Sequence, residues 1–143
     1  MVQQITSKNR ILAIILRSSY SADGISFFTP NDFSQQLAYM SRPAGYQIPP
    51  HVHNVVPREV QYTNEVLFIK SGKVRVDFYD ESQNYLESKI LLAGDVILLA
   101  YGGHGFQIIE ACEMIEVKQG PYAGEADKTR FVPADADQII IKE

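Results

Sequence analysis

The chain has 143 residues, which is enough for one domain with a single hydrophobic core and leaves no room for a second. Hydrophobic residues make up 45% of it and charged residues 21%, proportions that are typical of a folded globular protein and exclude an intrinsically disordered chain. The formal net charge is −4 and no local cluster of basic residues offsets it, so we expect no binding to nucleic acids.

The first apolar run of the chain, Ile11–Leu16, follows Lys8 and Arg10, an arrangement with some likeness to a signal peptide. Six apolar residues are too few for an export signal, and no small-residue cleavage site follows them. No other stretch approaches the roughly 20 apolar residues that a membrane-spanning helix needs. The single cysteine, Cys112, cannot form a disulfide within the chain, which is typical of a reducing compartment. We therefore expect a cytoplasmic protein with no membrane partner.

Short apolar runs separated by turn residues dominate the sequence and predict about ten short strands. The alternation is clearest in Lys73–Tyr79, where Val74, Val76 and Phe78 share one face. No window of about eleven residues carries a helical apolar stripe, so we expect helix only in one or two short turns. These patterns predict an all-β, antiparallel sandwich or barrel. The predicted strand runs are Ile11–Arg17, Gly24–Phe28, Gln36–Arg42, Tyr62–Lys70, Lys73–Tyr79, Tyr85–Leu91, Val96–Leu99, Gly105–Glu110, Cys112–Lys118 and Gln138–Lys142.

Two connections between these runs have turn-forming residues. Ser71-Gly72 lies between two apolar runs and predicts a two-residue hairpin turn. Asp80–Asn84 is polar throughout and predicts a second, looser turn.

The three histidines of the chain are His51, His53 and His104. His51 and His53 are two residues apart, so on an extended strand both side chains point to the same face. Alternate positions of a strand lie about 6–7 Å apart, which allows two imidazoles to share one cation. Glu65 is a candidate for a third ligand, and His104 is a candidate fourth ligand from a later strand.

These residues resemble the first motif of the cupin superfamily. Gly45 is followed after five residues by His51-Val-His53, and Glu65 is followed after six residues by Gly72, as in that motif. Eleven residues separate His53 from Glu65 where three or four are usual in the family, so Asn54–Asn64 is interpreted as an inserted loop. Glu59 is a rival carboxylate that shares strand parity with Glu65, and the spacing to Gly72 favours Glu65.

The second cupin motif is matched in part, from Gly94 to His104. Ala100 stands in the proline position, the histidine comes one residue early, and the closing asparagine is absent. The resemblance runs from Gly45 to Lys118, about half of the chain. Gly102–Phe106 and Glu116–Tyr122 resemble small single-domain cupins associated with surface-polysaccharide biosynthesis.

The resemblance implies one domain over residues 1–143, with the fold of a double-stranded β-helix or jelly-roll barrel. Its barrel and metal motifs occupy residues 45–118, and its N-terminal strands lie within residues 1–30. Ile11–Leu16 has no obvious partner in a minimal barrel, and small cupins often pair through such strands. We therefore expect a homodimer. The alternative is that this run packs back on its own barrel.

The implied cofactor is a divalent metal ion held by His51, His53, Glu65 and His104. Three imidazoles and one carboxylate leave two open positions on an octahedral ion and suit zinc, iron, manganese or nickel. An alternative for Glu65 is a buried carboxylate paired with a basic residue such as Arg58 or Arg42. An alternative for the whole site is a cupin barrel that uses its histidines without a metal.

The predicted ligand is a small polar molecule of carbohydrate type, such as a sugar phosphate or a nucleotide sugar. Arg42 and Arg58 are candidate anchors for its anionic group. Glu59 or a tyrosine such as Tyr62 is the candidate for moving a proton, since no spare histidine is present. The corresponding activity is that of an isomerase, epimerase or lyase. The alternatives are a non-catalytic sugar- or metal-sensing module and a metal-dependent dioxygenase.

Overall fold

The computed structural model describes all 143 residues, of which 45% lie in strands and none in an α-helix. The predicted all-β, antiparallel class is therefore confirmed, and the helical content is limited to the 3-10 helices Gly124–Asp127 and Ala136–Gln138. The jelly-roll arrangement stays a prediction. The eight strands are β1 (Val2–Ser7), β2 (Arg10–Leu16), β3 (Gly24–Phe27), β4 (Ala38–Ser41), β5 (Glu65–Tyr79), β6 (Tyr85–Leu92), β7 (Val96–Leu99) and β8 (Gly103–Lys118).

The strands belong to two compact units. The first unit comprises residues 1–20 and 62–143, and the second comprises Ser21–Gln61. In the first unit, six strands form a curled antiparallel half-barrel in the order β1-β2-β7-β5-β6, with β8 paired to β5. In the second unit, β3 and β4 form an antiparallel pair, and the residues from 42 to 61 carry no regular strand.

The hydrophobic core of the first unit is built mainly from β2, β5 and β7. Val74, Val76 and Phe78 of β5 are at most 1% exposed, which confirms the face predicted from the alternation of Lys73–Tyr79. β2 lies between β1 and β7, and its residues from Leu12 to Leu16 are buried. The run Ile11–Leu16 is thus paired on both sides by β1 and β7 of its own sheet. This is the stated alternative to pairing with a second copy of the chain. The homodimer stays a prediction, but it is no longer supported by an unpaired strand at Ile11–Leu16.

The predicted hairpin turn at Ser71-Gly72 is wrong. β5 continues through this dipeptide, and its pairing with β8 shifts register on both sides of it. Gly72 has a φ of +80°, and a Cβ atom there would lie 2.0 Å from the carbonyl oxygen of Ala111. The glycine therefore forms a bulge inside a long strand. Bulges and hairpin turns both favour a glycine between two apolar runs, so the local sequence looks the same for both.

Other predicted runs also merge or shorten. The single strand β8 contains both predicted runs Gly105–Glu110 and Cys112–Lys118. The single strand β5 likewise joins the two runs on either side of Gly72. These two mergers are the main reason why the chain has eight strands instead of about ten. Gln138–Lys142 makes no strand and contributes only an isolated parallel bridge between Ser88 and Ile141. The turn at Asp80–Asn84 is confirmed, with the Asp80 amide bonded to the Asn84 carbonyl at 2.9 Å.

The turn between β6 and β7 is fixed by a buried carboxylate. Asp95 is 2% exposed and accepts hydrogen bonds from the Arg17 guanidinium at 2.9 Å and from the backbone amides of Ser18 and Leu92 at 2.8 and 3.0 Å. Three donors compensate the carboxylate for its loss of water. This network joins the end of β2 to the β6–β7 turn.

Candidate functional site

Glu65 and His104 meet in the first unit although they are 39 residues apart in the sequence. Glu65 is the first residue of β5 and is 8% exposed, whereas His104 follows the first residue of β8. The imidazole Nε2 lies 3.2 Å from the carboxylate Oε2. Two of the four predicted metal ligands are therefore brought into direct contact by the fold.

This contact requires a strong curl of the β5–β8 ribbon. His104 is paired in register with Phe78, which is thirteen residues beyond Glu65 on the same strand. In a flat strand those thirteen residues would span about 43 Å. The two side chains instead touch, and the bulge at Gly72 lies between the two paired positions. Because bulges increase the local bend and twist of a strand, Gly72 helps to assemble the site from a distance.

Glu65 also binds a lysine that sequence reasoning did not identify. Lys118, the last residue of β8, places its Nζ 2.7 Å from Glu65 Oε1. The pKa of Glu65 is lowered to about 2, mainly by the hydrogen bond with His104 and also by the hydrogen bond and charge of Lys118. These interactions outweigh burial, which by itself would raise the pKa. The same contact raises the pKa of Lys118. The carboxylate is thus ionised at neutral pH, and its basic partner is Lys118 and not one of the predicted arginines.

His104 keeps one ring nitrogen free of this contact. A hydrogen bond donated from Nε2 to Glu65 leaves Nδ1 as an acceptor. The side chain is 29% exposed, and its ring contacts Phe106 edge-on with centroids 5.5 Å apart. Nδ1 can therefore accept a proton or bind a cation, while Glu65 orients the ring.

The two glycines before His104 allow a close approach of the chain. Gly102 has a φ of +73°, and a Cβ atom there would lie 2.6 Å from the carbonyl oxygen of Tyr79. A Cβ atom on Gly103 would lie 2.9 Å from the Phe131 ring. This glycine pair therefore makes the bend that starts β8 and positions His104.

His51 and His53 lie together in the second unit. Their ring centroids are 5.3 Å apart at an interplanar angle of 81°, and the Nδ1 of His51 lies 3.0 Å from the Pro49 carbonyl oxygen. Both residues are exposed, and the segment around them forms no strand, so strand alternation is not what brings the two rings together. The two imidazoles are nevertheless neighbours on an exposed segment.

The other predicted site residues of the second unit are exposed. Glu59 accepts a hydrogen bond from the Gln61 amide at 3.1 Å, and Arg58 makes no ion pair. The Arg42 guanidinium lies 4.7 Å above the centre of the Tyr46 ring. These three side chains have no strand that fixes them, in contrast to Glu65.

Tyr62, the other candidate for proton transfer, lies in the first unit beside residues that sequence reasoning missed. Its ring meets that of Tyr101 edge-on, with centroids 5.0 Å apart. The Arg10 guanidinium carbon lies 3.4 Å from the Tyr101 ring centre and 5.8 Å from that of Tyr62. These three residues are far apart in the sequence, so no local pattern predicts the cluster.

No group of three or more histidine, cysteine, aspartate or glutamate side chains is arranged in the structure to hold a metal ion. The predicted ligands form two pairs, His51 with His53 and Glu65 with His104. Each pair offers nitrogen or oxygen donors of the kind that divalent transition metals accept. The four-ligand centre stays a prediction.

No family model matches the chain, and no curated protein or solved structure shows a detectable similarity to it. The likeness to cupins is therefore carried by the motif residues alone. No helix in the structure has both the length and the apolar character needed to cross a membrane.

Proposed function

We propose that this protein is a cupin-like metal-binding protein that binds a small anionic ligand of carbohydrate type, such as a sugar phosphate or a nucleotide sugar. The observation that carries the proposal is the contact between Glu65 and His104. Motif spacing in two separate parts of the chain marks these two residues as candidate ligands.

The chemistry of this pair suits a divalent cation. Glu65 is largely buried and its pKa of about 2 keeps the carboxylate negative, so it attracts a positive charge. The Lys118 ammonium already occupies a cation position beside Glu65 Oε1. Nitrogen and oxygen donors without a thiolate are compatible with zinc, iron, manganese or nickel. The cupin resemblance implies His51 and His53 as the remaining metal ligands.

A bound metal would supply Lewis acidity to an oxygen atom of the ligand. In the proposal, Arg42 and Arg58 contribute positive charge for the anionic group of the ligand, and Glu59 or Tyr62 moves a proton. Tyr62 is half-exposed, and its ring contacts that of Tyr101 edge-on. Turnover would make the protein an isomerase, epimerase or lyase. Binding without turnover would make it a sensing module.

A second candidate function is metal-independent acid–base chemistry by His104. The observation that favours it is Lys118, whose ammonium group already compensates the charge of Glu65. Glu65 would then orient the imidazole, while Nδ1 removes a proton from the ligand. In this case the chain needs no cofactor.

The decisive experiment is elemental analysis of the purified protein, before chelation and after reloading with zinc, iron, manganese or nickel. We expect about one ion per chain in the native protein and its loss in the double variant His51→Ala/His53→Ala and in Glu65→Gln. Glu59→Gln is the matched control, because it removes a carboxylate that lies close to Glu65 in the sequence. We expect the Glu59→Gln variant to retain the metal. Unchanged stoichiometry in the double variant contradicts the metal centre, and loss in Glu59→Gln alone transfers the ligand role to Glu59.

Calorimetry with a panel of sugars, sugar phosphates and nucleotide sugars separates the remaining functions. Binding that survives complete metal removal favours the acid–base candidate, and binding without product formation favours a sensing module. If the metal-loaded protein binds none of these molecules, the carbohydrate proposal is wrong. Oxygen consumption by the iron-loaded protein would then identify a dioxygenase.

A further inference from the structure

Arg10 is held by aromatic rings at the point where β2 begins. The backbone before it makes a tight turn at Lys8 and Asn9, both with positive φ, and Ser7 pairs with Arg10 across that turn. Its guanidinium carbon lies 3.4 Å from the centre of the Tyr101 ring. Cation–π contact fixes the position of a guanidinium group while its N–H groups at the edge remain able to donate.

Arg10 is the arginine of the first unit that has no carboxylate partner. Its guanidinium group makes only the two ring contacts, with Tyr101 and Tyr62. The other arginines of this unit are each paired: Arg17 with Asp95, Arg75 with Asp77 and Arg130 with Glu125. A positive charge that is positioned by apolar faces and left without a counter-ion is suited to bind an external anion.

The cluster of Arg10, Tyr62 and Tyr101 is joined to the Glu65–His104 pair by two short stretches of chain. Tyr62 precedes Glu65 by three residues, and Tyr101 precedes His104 by three residues. Three residues of fully extended chain reach at most about 10 Å, and both connections are therefore short. The backbone amide of Tyr101 also binds the carbonyl oxygen of Leu12 at 3.2 Å, which ties the ring to β2.

We propose that Arg10, positioned by Tyr101 and Tyr62, is the residue of the first unit that binds the anionic group of the ligand, either a phosphate or a carboxylate. The proposal rests on the proposed function for the identity of the site and adds a residue that the cupin resemblance does not assign. Arg10 offers a planar pair of donors that matches both oxyanions. The exposed tyrosine ring of Tyr62 would contact the uncharged part of the same molecule.

Nuclear magnetic resonance tests this directly through the side-chain Nε–H signals of the arginines. The metal-free protein is titrated with inorganic phosphate and separately with acetate, at constant ionic strength. We expect a saturable shift of the Arg10 signal with at least one of the two anions, and smaller shifts at Arg42 and Arg58. Arg75 is the comparison within the chain, because its guanidinium group is paired with Asp77 at 2.7 Å and has no proposed role in binding the ligand.

Variants then check the assignment. Arg10→Met should weaken binding of the same anion at least about tenfold, whereas Arg130→Met should leave it unchanged. Metal stoichiometry is measured on the same samples and should be unaffected by Arg10→Met, so failure of the metal centre and failure of the anion site are separate results. The proposal is overturned if Arg10 shows no saturable shift, or if saturable binding occurs at Arg42 or Arg58 instead. Since the wild-type spectrum already reports on Arg10, a variant that fails to fold does not prevent the test.

Discussion

Replacing Glu65 with glutamine removes the charge of the candidate site while keeping the size and shape of the side chain. In the wild-type protein, His104 and Lys118 both stabilise the ionised carboxylate and lower its pKa from 4.5 to about 2. Such a shift corresponds to roughly 3 kcal/mol in favour of the ionised folded state. The Lys118 side chain is 31% exposed, and solvent screening reduces this value, so we expect Glu65→Gln to cost about 2 kcal/mol at neutral pH.

The same shift predicts a pH dependence with a definite sign. Because the pKa of Glu65 is lower in the folded protein than in the unfolded chain, its contribution is fully present above about pH 4.5 and is lost as the pH falls towards 2. Between pH 6 and pH 3.5 the wild-type protein should therefore lose about 1 kcal/mol more stability than Glu65→Gln. The two stability curves should converge in acid.

Urea denaturation of the metal-free protein, followed by tyrosine fluorescence or circular dichroism, measures these differences. The matched control is Glu113→Gln, which removes a carboxylate that pairs with Lys70 at 3.6 Å on the surface. We expect this control to change the free energy of unfolding by no more than about 0.5 kcal/mol, with an unchanged pH slope. Equal effects of the two substitutions, or parallel acid curves for wild type and Glu65→Gln, would refute the assigned electrostatics of Glu65.

Three further results are expected. Gly72→Ala should lower the free energy of unfolding in urea by more than about 2 kcal/mol, because it places a side chain at a positive φ and against backbone atoms. The control Gly105→Ala should cost less than about 1 kcal/mol, because a Cβ atom there meets open space. Similar costs for the two variants would contradict the bulge at Gly72. Asp95→Ala should lower stability by about 3 kcal/mol because it leaves Arg17 unpaired, and a change below 1 kcal/mol in thermal denaturation would contradict this network. Sedimentation at micromolar concentration tests the predicted homodimer, and a single-chain species alone would exclude it.

The strand class and one buried face could be predicted from local sequence because alternation is a property of neighbouring residues. Val74, Val76 and Phe78 face the core as the period of two requires. The motif spacing also selected Glu65 and His104, which the structure brings into contact. Local pattern could not distinguish a hairpin turn from a bulge at Gly72, because both use a glycine with positive φ.

The sequence by itself determined that this chain forms antiparallel strands and that Glu65 and His104 are site candidates. Only the tertiary structure decided that β5 and β8 are long strands, that Lys118 binds Glu65 and that Arg10 lies against Tyr101. These contacts join residues that are tens of positions apart. They depend on the curl of the sheet, which results from strand register, the bulge and packing of the whole core, and no short stretch of sequence encodes that geometry.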